Sequence, residues 1–229
     1  MFSVNKCLVP TCTNSALSDF DQYGNIIKSN GYCLEHIPDP GNIQAKIFDY
    51  IKNHDMIIGL NASGIIFKDI DLSNKKFFGC DFSDCTFQNV KAENTIFKIS
   101  VFDFAFFFDC NFIKSRIQFT SFSCCTLTHT IFNFCDILQC NFNGARVFQC
   151  SLDNCDFFSS RFIKATLSDT SFRNCNLKKT IFSAAKRENV SFKMSNTREA
   201  IFGTLRNPLD SASGDALDFG NSIVDGDMQ

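Results

Sequence analysis

No apolar run in this sequence is long enough to cross a membrane. Its first residues lack the basic and apolar regions of a signal peptide. It has no glycine-rich phosphate loop and no histidine-based nucleophile arrangement. Histidine is scarce, at three in 229 residues, and His54 and His129 stand isolated, as surface residues rather than general bases. Net charge is also small: −2 overall argues for no partner by itself. These absences argue against a membrane protein and against an enzyme. What the chain has instead is 29 phenylalanines and 13 cysteines. Cysteines packed mostly into a tight core fit a reducing compartment, so the expected location is cytoplasmic.

The phenylalanines are not scattered. Every fifth residue from Phe67 to Phe202 is large and apolar, and only Ala92, Arg187 and Thr197 break the series. The residue two before each of these positions is small, and nine cysteines, Cys80 and Cys125 among them, stand there. Their spacing therefore belongs to the repeat and not to a redox or metal motif. Internal repeats of this kind outrank other sequence signals. A helix would scatter a five-residue period around its axis. A flat strand would send alternate members to opposite faces. A short extended segment aims the small and the large residue the same way, and a corner then follows. Four such sides close a square coil of twenty residues, and coils stack about 4.8 Å apart like parallel strands. The series Phe82, Phe102, Phe122, Phe142, Phe162, Phe182 and Phe202 becomes one internal ladder.

The segments "CDFSD", "CTFQN", "CNFNG", "CDFFS" and "CNLKK" resemble the pentapeptide-repeat family over about 139 of the 229 residues. The resemblance implies an all-β solenoid: a right-handed quadrilateral parallel β-helix of about seven coils. Some members protect DNA gyrase and topoisomerase IV from quinolones or natural poisons, as acidic dimeric rods that imitate duplex DNA. By resemblance a type II topoisomerase and an antibiotic-resistance role enter as one expectation. The chain departs from that pattern: residues 65–203 carry 17 Lys/Arg against 13 Asp/Glu, and no loop is inserted between coils.

Four segments follow from these patterns. Residues 1–40 fall outside the repeat and hold Cys7, Cys12, Cys33 and His36, spaced Cys-x4-Cys and Cys-x2-His. Two ligand pairs on two turns make a small structural zinc module, and four ligands leave no open position for catalysis. The plain alternative is three free cysteines and a surface histidine. Residues 41–60 read as a linker and an amphipathic helix, with Ile43, Ile47, Phe48 and Ile51 on one face and Asn42 as its cap, laid over the open end of the tube. Residues 61–203 are the β-helix. Residues 204–229 form an acidic tail, expected to be irregular, whose Leu205, Leu209, Leu217, Phe219 and Ile223 can cover the far end or make a dimer contact there.

Departures from the repeat mark candidate sites. Phe104, Phe106 and Phe108 fall in outward positions, Phe148 lies two coils above Phe108, and Leu138 and Phe158 form another column. Clustered exposed aromatics indicate a partner or self-association surface; alternatively they tuck under neighbouring side chains. Arg187 sits in an inward position, so "KRENV" is expected as a bulged corner with Arg187 reaching solvent. The functional expectation is a non-enzymatic protein-interaction scaffold. The alternatives are a topoisomerase-interacting protein and zinc-assisted nucleic-acid binding; a net +4 spread over seven coils is thin for the last.

Overall fold

The computed structural model describes residues 5–27 and 31–203. The tail after residue 203, with the contacts expected of Leu205 to Ile223, lies outside the described residues. From Met56 onward the backbone advances in five-residue sides, four to a coil. One face is a seven-stranded parallel sheet running from Ile66–Lys68 to Lys186–Glu188. The opposite face is a five-stranded sheet from Met56–Ile58 to Asp136–Leu138. Every strand pairing within these two sheets is parallel with a twenty-residue offset, as in Leu127 with Phe107 below and Val147 above. Isolated bridges such as Asp81 to Val101 and Lys91 to Asn111 continue the same offset on the two remaining sides. The chain is a parallel β-solenoid of about seven turns.

The core follows from the repeat. All the large inward side chains from Phe67 to Phe182 are buried. Phe102, Phe122 and Phe142 stack with ring centroids 4.9 and 4.8 Å apart and planes within 6°. The near-parallel stacking follows the coil spacing. The small inward position explains the buried polar residues. Its side chain donates to the carbonyl of the inward residue 23 positions earlier: Ser115 Oγ to Ala92 O at 2.7 Å, Thr180 Oγ1 to Phe157 O at 2.9 Å, Cys135 Sγ to Phe112 O at 2.9 Å. Cys, Ser and Thr are interchangeable there because each is small and carries one donor.

The corners hold a feature that the repeat did not announce. The second residue after each inward position has positive φ, from Asp69 at 53° to Glu199 at 62°. Where the turn is closed, as from Cys85 N–H to Phe82 O, this is the left-handed third residue of a type II turn. Asn, Asp and Gly suit it, and many corners carry them. Ile99, Phe104, Phe119, Phe134 and Met194 do not, and all five are exposed.

Both ends of the tube depart from expectation in detail. The capping helix is Pro40–Asn53, and its N-cap is Asp39, whose carboxylate accepts from Asn42 N–H at 3.0 Å. Pro40 and Gly41 are therefore the first turn of the helix, which suits a proline that needs no donor. Ile43, Ile47 and Ile51 bury into the solenoid core, and Phe48 packs on Phe67 at 5.3 Å. At the far end "KRENV" is not a bulge. Lys186–Glu188 pairs in register with Thr166–Ser168, and the Arg187 guanidinium lies 5.3 Å over the Phe202 ring. Cation–π contact and the alkyl stem let arginine fill an inward position without breaking the stack.

Candidate metal centre and docking face

Two turns build the N-terminal centre. Cys12 N–H donates to Val9 O at 2.9 Å, closing the first around Pro10. His36 N–H and Ile37 N–H donate to Cys33 O at 3.1 and 3.0 Å, closing the second. The ligand atoms of Cys7, Cys12, Cys33 and His36 all lie within 4.8 Å of one another. Cys12 and Cys33 sulfurs are 3.8 Å apart, and His36 Nδ1 is 3.6 Å from Cys7 Sγ and 3.2 Å from Cys33 Sγ. A tetrahedral Zn²⁺ with ~2.3 Å bonds to sulfur and ~2.05 Å to nitrogen needs edges of about 3.8 and 3.6 Å. The group could hold a metal ion of that size.

The surroundings favour thiolate at Cys7 and oppose it at Cys12. Burial opposes charge on Cys7, but amide N–H donors of Cys33 and Val9 and the neighbouring thiols hold its pKa down at about 6. At Cys12 the Asn14 amide favours the thiolate, while burial and crowding by Cys33 and Cys7 push the pKa up. A cation shared among the sulfurs removes that crowding. Asn14 Nδ2 lies 4.0 Å from Cys33 Sγ and donates to Glu35 Oε2 at 3.3 Å, tying the two turns together.

The module is fastened to the solenoid. Ser18 N–H donates to Asn61 O, Asn61 N–H donates to Ser18 Oγ, and Asn61 Nδ2 donates to Ala16 O, all at 2.8–2.9 Å. Phe20 packs on Tyr50 at 5.3 Å, and Leu34 covers Gly64, where a Cβ would sit 2.9 Å from Leu34 Cδ2. Beside it, an open groove of about 610 Å³ runs between the helix and the first coil, past Phe48, Lys52, Ile70 and Lys75.

The aromatic candidates divide between two faces. Phe104, Phe106, Phe108 and Phe148 are exposed by 54, 44, 37 and 42% and share the seven-strand face and its corner. Phe106 and Phe108 rings stand parallel at 6.4 Å. Leu138 and Phe158 lie on the opposite, five-strand face and are half-buried; Lys179 Nζ sits 5.9 Å over the Phe158 ring. Exposed Ile99, Phe119 and Phe134 escaped the sequence reading because the corner position was taken as simply outward; a bulky residue where a turn wants Asn or Gly was the available signal. His129 is placed at a corner, with Nδ1 3.3 Å from Asp109 Oδ1 and Nε2 2.6 Å from Gln149 Oε1.

No curated protein matches the sequence. A trypsin-treated form of QnrB1, a plasmid-mediated fluoroquinolone resistance protein, is similar in structure at 19% identity, with a TM-score of 0.42, covering 74% of this chain and 89% of that one. HetL, a pentapeptide repeat protein involved in heterocyst differentiation regulation from the cyanobacterium Nostoc sp., is similar at 11% identity, with a TM-score of 0.36, covering 70% and 94%. The family model described as "pentapeptide repeat region" matches residues 125–202. The same five-residue coil runs unbroken up to that segment from Met56, so the pentapeptide-repeat match sits within one continuous solenoid.

Proposed function

We propose that the chain is a non-enzymatic protein-docking scaffold whose docking surface is the seven-strand face. The observation that carries the reading is the exposed set Phe104, Phe106, Phe108 and Phe148 on one flat, rigid sheet. Clustered aromatics in solvent mark association surfaces, and rigid anchors lose little entropy on binding. The test compares proteins retained by immobilised wild type and by the Phe106→Ser/Phe108→Ser variant. A partner lost only from the variant supports the reading; identical retention by both sinks it.

At the other end, we propose that Cys7, Cys12, Cys33 and His36 hold one structural Zn²⁺, which folds the module that covers the first coil. The ligand-atom separations and the amide donors on the sulfurs support it. Metal analysis tests it: one zinc per chain is expected, and none after Cys33→Ser.

The narrower topoisomerase reading, with its antibiotic-resistance role, draws on the family resemblance alone. The net +4 of residues 65–203 is unlike a duplex-DNA mimic. A gyrase supercoiling assay with and without a quinolone tests it: rescue or inhibition by the protein supports it, and neither effect removes it.

A further inference from the structure

The seven-strand face is flat. The core rings beneath it turn by only 7 and 6° from Phe67 through Phe87 to Phe107. Seven strands at about 4.8 Å give a face about 30 Å long. Its middle coil, with Thr126 and Thr128, has no Lys, Arg, Asp or Glu from residue 121 to 129. The coils on either side of it differ in charge. Across residues 81–89 and 101–109 the charges are Asp81, Asp84, Asp103 and Asp109, with no Lys or Arg. Across residues 141–149 and 161–169, beyond the middle coil, the charges are Arg146, Arg161, Lys164 and Asp169.

We propose that the partner of this face is a second copy of the same chain, laid face to face and end for end about a two-fold axis through the Thr126–Thr128 coil. The proposal rests on the docking-scaffold reading and names its occupant. End-for-end pairing keeps each column and inverts the coil order. Residues equally far in number from Cys124, Thr126 or Thr128 then meet. Phe108 faces the partner's Phe148, an aromatic pair. Phe106 faces the partner's Arg146, a cation–π pair. Phe104 faces the partner's Gly144, where no side chain stands above Cys124. Asp84 faces the partner's Lys164, and Lys68 faces the partner's Glu188, at matching positions in their columns. Among the described residues these four charges form no ion pair within the chain. No like charges meet anywhere along the face. An isologous interface requires such self-complementarity.

Same-direction pairing fits less well. It sets Phe104 against the partner's Asp109, a carboxylate already engaged by His129. It also brings both N-terminal modules to one end, where Leu34 and Gln44 already reach over Gly64 and Ile66 at the edge of this face.

Two measurements on the full, zinc-supplemented protein test the proposal. Cys124 is the exposed cysteine among the described residues and lies at the axis. A short bis-maleimide should give a covalent dimer with wild type and none with Cys124→Ser. In sedimentation equilibrium, Phe108→Ser and Lys164→Glu should each weaken dimerisation at least tenfold. Adding Asp84→Lys to Lys164→Glu should restore it to within about threefold, since lysine already stands at three corners of this kind, Lys114, Lys164 and Lys179. Circular dichroism checks that each variant folds. Rescue by Asp169→Lys instead would mean same-direction pairing and overturn the register. A wild type that stays monomeric overturns the proposal. The docking-scaffold reading then stands or falls separately on whether Phe106→Ser/Phe108→Ser loses a captured partner.

Discussion

Raising the pH should unfold this solenoid through its cysteines. Burial pushes the Cys80, Cys140 and Cys175 thiols up to about 12 from an ordinary 9.0. The folded core therefore holds the thiol, while the unfolded chain releases its proton near pH 9. A pKa raised on folding gives stability that is fully present below the unfolded value and is lost as pH rises from there toward the folded value. The window is thus about pH 9 to 12. At pH 8 these groups cost almost nothing. At pH 10, one unit above the unfolded value, each costs about 1.4 kcal/mol, so the three together cost about 4 kcal/mol. That is a large share of the ~5–15 kcal/mol that holds an ordinary domain. Urea melts at pH 8, 9 and 10, under reductant and followed by circular dichroism, measure it. The control is Cys80→Ala/Cys140→Ala/Cys175→Ala, because alanine fills the same position at Ala105, Ala145 and Ala165. The variant should be weaker at pH 8 but lose about 4 kcal/mol less between pH 8 and 10. Equal losses in both proteins would refute the thiol argument and point to lysine or tyrosine ionisation.

Three further outcomes are expected. Phe122→Ala, in the middle of the stacked ladder, should cost about 3–5 kcal/mol, whereas Cys125→Leu should overpack the same coil and cost about 1–3 kcal/mol; chemical denaturation measures both. Chelation of metal should expose Leu34 and Phe20, speeding amide exchange over residues 5–27 and 31–37 while the coils beyond Phe82 stay protected; unchanged exchange would count against a metal-fastened module. Phe104→Asn should raise stability by about 1 kcal/mol, because φ of 61° suits asparagine, while weakening whatever docks on the seven-strand face. Unchanged stability would refute the corner-strain argument, and unchanged binding would remove Phe104 from the docking surface.

Much of this was legible because one rule repeats. The five-residue period sets the inward positions, and the step of twenty places Phe82 under Phe102. The spacing of Cys7, Cys12, Cys33 and His36 likewise brought four ligands to one point. Other features carry no periodic signal. The left-handed corners carry Asn, Asp and Gly often but accept Lys, Glu and Phe too, which blurs their signal. Asp39 beats Asn42 as the helix cap because its carboxylate reaches the Asn42 amide past Pro40. Arg187 was expected to break the stack, but its partner Phe202 is supplied by the next coil and is invisible to a local reading. Leu138 and Phe158 were legible as a column apart from Phe148, because they stand ten residues, half a coil, out of step with it.

The corners have a consequence for how such a chain changes over time. Each holds the same backbone whether it carries Asp84, Ile99, Lys164 or Glu199. The inward positions are read by the core neighbours above and below, and the corners only by other surface side chains, as Asn89 by Asp69 and His129 by Asp109 and Gln149. A substitution at a corner rewrites the outside without asking the inside for compensation. The rod thus behaves as a ruled pegboard: fixed holes at regular pitch, in which pegs are exchanged one at a time, so that new surfaces can be tried while the frame stays the same.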